Sequence, residues 1–64
     1  MDANVAAIIT LTEERLELVK NGLQKRGLWF DNPKCESERF AKQLYETQKL
    51  IILENSFKML QQLP

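Results

Sequence analysis

A chain of 64 residues is at most one small domain, and its nine Lys/Arg against nine Asp/Glu leave no net charge. The basic excess that holds many proteins to nucleic-acid phosphates is therefore missing. Hydrophobic residues make up 44% of the chain, with two glycines and two prolines, which excludes a low-complexity or disordered tail.

The first segment, residues 1–11, admits more than one reading. Val5, Ile9, Thr12, Leu16, Val19 and Leu23 recur at alternating steps of four and three, which lets one helix run from about residue 4, and Ala6 and Ala7 favour it. The β-branched run Ile8-Ile9-Thr10 instead suits a short strand, and a disordered arm is the third option. The apolar run from Val5 to Leu11 is too short to cross a bilayer and no basic residue precedes it. Neither a spanning helix nor a signal peptide is expected, and a single cysteine suits the reducing cytoplasm.

A helix is expected over 13–26. Leu16, Val19 and Leu23 share one face and Leu18 widens it. Thr12 can cap the first amides, Glu13 and Glu14 sit near the positive end of the dipole, and Leu11 with Leu16 can form a hydrophobic staple. Lys25-Arg26-Gly27 marks the end, with two cations at the negative pole and a glycine able to adopt the left-handed conformation.

Residues 27–32 form the connection. Trp29 and Phe30 within it either close the open end of the hairpin core or contact a partner. Asn32 can cap a second helix that has Pro33 at its first position, with Ser37 as the fallback start. No glycine or proline then occurs before Pro64, so a helix over 33–62 is expected.

That second helix carries two apolar sectors. Phe40, Ala41, Leu44, Tyr45, Ile51, Ile52, Met59 and Leu63 fall within roughly 140° of one another and are expected to pack on the first helix. Leu50, Leu53, Phe57 and Leu60 form a second stripe further around. One partner helix from the same chain cannot readily cover both, so these four residues are the expected interface with a second copy. Glu38 to Lys42 and Glu54 to Lys58 are i,i+4 pairs expected on the solvated side.

The inventory of reactive groups is short. Histidine is absent, which removes the commonest general base and metal ligand. Glu13, Glu14 and Glu17 cluster only as a helix start. With Pro33 as the first helical residue, Cys35 falls in the first turn, where amide dipoles can lower a thiol pKa; without a second cysteine or a histidine it is nonetheless expected to be incidental. No catalytic, cofactor-binding or metal-binding residue is assigned, and the chain is not expected to be an enzyme.

The resulting fold class is all-α, an antiparallel two-helix hairpin that dimerises into a four-helix bundle. Its expected role is protein–protein interaction, as an adaptor or small regulatory subunit that forms a homodimer and docks on a larger protein. A second reading comes from Ile8-Ile9-Thr10-Leu11-Thr12-Glu13-Glu14-Arg15-Leu16, then Gly27, then Ser37-Glu38-Arg39-Phe40. This order resembles the ribbon-helix-helix family of dimeric DNA-binding transcriptional regulators, in which paired strands enter the major groove. The resemblance implies outward positions Asn4, Ala6, Ile8 and Thr10, without Lys or Arg for base edges. Neutral charge and an unexplained Leu50–Leu60 stripe place it second, and nucleic acid is not the expected partner.

Overall fold

The alternating four-and-three apolar series is realised as one unbroken helix, α1 (Ala3–Lys25), in the computed structural model, which describes residues 2–63. Asp2 occupies the N-cap with extended backbone, and its carboxylate accepts the amide of Asn4 at 2.7 Å. Among the described residues there is no strand. The segment Ile8–Thr12 that the ribbon reading requires is helical, because the alanines and the continuous apolar face outweigh the weak strand preference of β-branched residues.

Two local expectations fall with it. Thr12 is no cap: it lies mid-helix, and its hydroxyl donates to the Ile8 carbonyl at 2.7 Å, the back-bond that satisfies a helical threonine. Leu11 and Leu16 then have no helix entry to staple.

The end of α1 is as the cations and glycine indicate. Gly27 has φ 69°, its amide donates to the Gln24 carbonyl at 3.1 Å, and the Leu28 amide donates to the Leu23 carbonyl at 2.8 Å. These two bonds form a Schellman motif. A Cβ at Gly27 would meet nothing within 4 Å, so Gly27→Ala carries only the left-handed backbone penalty. We expect it to lower stability by about 1 kcal/mol, with Gly27→Asn costing less. An unchanged urea midpoint for the alanine variant would show that this turn does not limit stability.

The second helix, α2 (Glu36–Gln61), begins later than Pro33. Cys35 takes the N-cap position with φ −145° and offers no side-chain cap, so Asn32 caps nothing. The start is set by Glu38, the third helical residue, whose carboxylate reaches back to accept the Lys34 amide at 3.3 Å and the Cys35 thiol at 3.2 Å. This is a reach-back like that of a capping box, made to the amide preceding the N-cap rather than to the N-cap amide itself, and Cys35 stands before the first turn. The reach-back also draws Glu38 away from Lys42, whose ammonium donates to the Asp31 carbonyl at 3.2 Å. The other expected pair forms, with Lys58 Nζ 3.4 Å from Glu54 Oε1.

α1 and α2 pack against each other as an antiparallel hairpin measuring 46 × 18 × 15 Å. The face of α2 turned to α1 carries Ala41, Tyr45, Ile52, Ser56, Leu60 and Leu63, all buried or half-buried. It lies between the two expected sectors, rotated by roughly 80° from the centre of the first. Phe40, Leu44, Ile51 and Met59 are accordingly exposed, Phe40 by 63%. The physical reason is the width of the apolar arc. One partner helix covers most area by packing on the middle of that arc, which leaves apolar residues along both flanks.

The core of this hairpin is thin. Only Ile8 and Ala41 are buried apolar side chains among the described residues. No helix among them is long and apolar enough to cross a membrane.

Candidate functional site

Along one flank of the hairpin the two helices frame an apolar groove of about 890 Å³. Its α2 wall is Leu50, Leu53, Phe57 and Leu60, the four residues expected at an interface, here brought together on one surface. Leu50 is 67% exposed and Phe57 60%, whereas Leu60 turns partly toward α1 and is half-buried. The α1 wall is Ile8, Ile9 and Leu16, with Glu13 and Glu54 at the rims.

Sequence reasoning supplied only the α2 wall. Ile8 and Ile9 lie in a segment that also suits a strand; the four-and-three series recovers Ile9 at the edge of the inward face once the helix is taken back to Ala3, and Ile8, four residues before Thr12, joins it on that face.

Thr12 and Ser56 meet between the walls, hydroxyl to hydroxyl. Because Thr12 spends its one proton on the Ile8 carbonyl, Ser56 must be the donor to Thr12. Ser56 is 8% exposed, so this polar pair sits within an otherwise apolar packing face. Each oxygen has a partner, as burial demands.

The loop end is built differently. The Trp29 ring meets Tyr45 of α2 edge-on, with centroids 4.7 Å apart, and the Lys20 ammonium of α1 lies 5.2 Å from the Trp29 centroid. Trp29 and Phe30 are both half-buried, so Trp29 bridges the two helices and closes the hairpin there. The recess beside them, lined in part by Phe30, Asp31 and Lys42, holds about 120 Å³, below the size of ordinary ligand cavities.

Cys35 is exposed, with Ser37 Oγ at 3.2 Å. Among the described residues no group of three His, Cys, Asp or Glu side chains gathers in a way that could hold a metal ion.

The chain matches no protein-family model, and no curated protein or solved structure shows significant similarity to it.

Proposed function

We propose that this chain is a non-enzymatic helical module that works by protein–protein interaction in the cytoplasm, as an adaptor or regulatory subunit, and that it self-associates through the groove-side face of α2 into a four-helix bundle. The observation that carries the reading is the groove itself. It presents two aliphatic walls and a phenyl ring to solvent, an arrangement that monomeric proteins rarely leave open.

Surface area argues the same way. The hairpin exposes 5137 Å², whereas a compact monomer of its 7.5 kDa exposes about 4,200 Å². The excess of roughly 900 Å² is close to the ~800 Å² that each partner loses in a standard interface. The radius of gyration, 14.3 Å, likewise exceeds the ~11 Å of a compact chain of this length. A second hairpin laid along the first removes both discrepancies. The lone exposed thiol of Cys35 suits a reducing compartment.

The test is the mass in solution. Light scattering on the purified chain is expected to return twice the 7.5 kDa of one chain, and a monomer with a sharp cooperative melt would overturn the reading.

A further inference from the structure

We infer that the groove is covered by a second copy of this chain lying head to tail, with the two interhelical loops at opposite ends of the bundle. This rests on the self-association proposed above and adds its orientation.

Two face-to-face arrangements share a two-fold axis. With loops at the same end, α1 of one copy lies on the partner's α2, level with level. With loops at opposite ends, α1 lies on α1 and α2 on α2, each pair antiparallel.

Charge at the groove rims separates them. The Thr12–Ser56 contact fixes the register of the hairpin, and it puts Glu13 on one rim level with Glu54 on the other. A same-end dimer therefore lays the Glu13 of each copy on the partner's Glu54, acid on acid, twice over. Lys58, which pairs with Glu54 in its own chain, points outward and relieves this only in part.

The opposite-end dimer removes the conflict. One heptad from Glu13 toward the loop stands Lys20, on the same side of α1. On α2, Lys49 stands about 140° around the helix from Glu54, on the half-buried side toward α1, so it does not share the Glu54 rim. The midpoint of Glu13 and Lys20 lies between Leu16 and Glu17. The register set by Thr12 and Ser56 puts that level between Ile51 and Ile52 on α2. A two-fold axis at that level brings Glu13 to the partner's Lys20 and carries Glu54 away from the partner's Glu13. That same level is near the middle of the rod, so the overlap runs along nearly its whole length.

Cys35, exposed and at the loop end, provides the probe. Nitroxide labels on the native thiol, read by pulsed dipolar spectroscopy on the full chain, are expected to sit apart by close to the 46 Å length of the hairpin. A separation below about 25 Å, the width of a four-helix bundle, would overturn the head-to-tail arrangement while leaving self-association intact. A sample that light scattering shows to be monomeric would overturn both. Glu13→Lys gives a second readout with opposite signs: the dimer dissociation constant rises several-fold in the head-to-tail arrangement, where the new cation meets the partner's Lys20. A fall in that constant, as the partner's Glu54 would produce in the same-end arrangement, would also overturn it.

Discussion

Phe57→Glu is expected to abolish the proposed dimer, raising its dissociation constant by at least about a hundredfold, or roughly 3 kcal/mol. The size of the effect follows from where the ring lies. In the single hairpin Phe57 is 60% exposed, so a carboxylate there is hydrated and disturbs the chain's own packing little. In a covered groove the same carboxylate is stripped of water opposite aliphatic side chains, and a two-fold axis imposes this once per copy. Leu53→Glu, on the same wall, should behave alike. Phe40→Glu is the internal control: Phe40 is as exposed as Phe57 but lies on the other flank, so its replacement should leave the mass unchanged. Sedimentation equilibrium on the variants decides the matter, and a dimer retained by Phe57→Glu would move the seam off this groove.

The second large effect belongs to the hydroxyl pair. Thr12→Val keeps the shape of the side chain but removes the acceptor that Ser56 needs, at a residue only 8% exposed. Leaving a donor unpaired in such a site costs about 1–3 kcal/mol. The lower end applies if the Ser56 hydroxyl rotates back to the carbonyl four residues earlier. Ser56→Ala is milder, since Thr12 retains its bond to Ile8. The double variant Thr12→Val/Ser56→Ala should recover most of the loss, because replacing both partners removes the desolvation penalty along with the bond. Urea denaturation at one fixed chain concentration measures all four corners of this cycle. Strictly additive losses would show that the pair contributes nothing as a pair.

Periodicity and end signals were enough to read two helices, the glycine stop and the apolar α2 wall. The stop at Gly27 is local chemistry, written in three adjacent residues. Leu50, Leu53, Phe57 and Leu60 are legible because helical spacing alone puts them together. The start of α2 is not legible because Asn32-Pro33 is a sound entry signal that competes with Glu38, and only the folded chain shows which one the amides use. The orientation of α2 was harder still. Its apolar arc is so broad that hydropathy does not single out an inward line, and the choice falls to how one narrow helix best covers it. Ser56 is not legible for the same reason: a serine among leucines looks solvated until a partner across the hairpin, here Thr12, is seen to take its proton.

A hairpin with only Ile8 and Ala41 as buried apolar side chains among its described residues ties the survival of the chain to its abundance. If the second copy completes the core, folding and pairing are one equilibrium, and every tenfold dilution removes about 1.4 kcal/mol of stability per dimer. Chains made sparingly stay open to proteases, whereas chains made in quantity shelter one another. The amount of working protein then rises more steeply than its rate of synthesis, so dosage itself becomes a threshold.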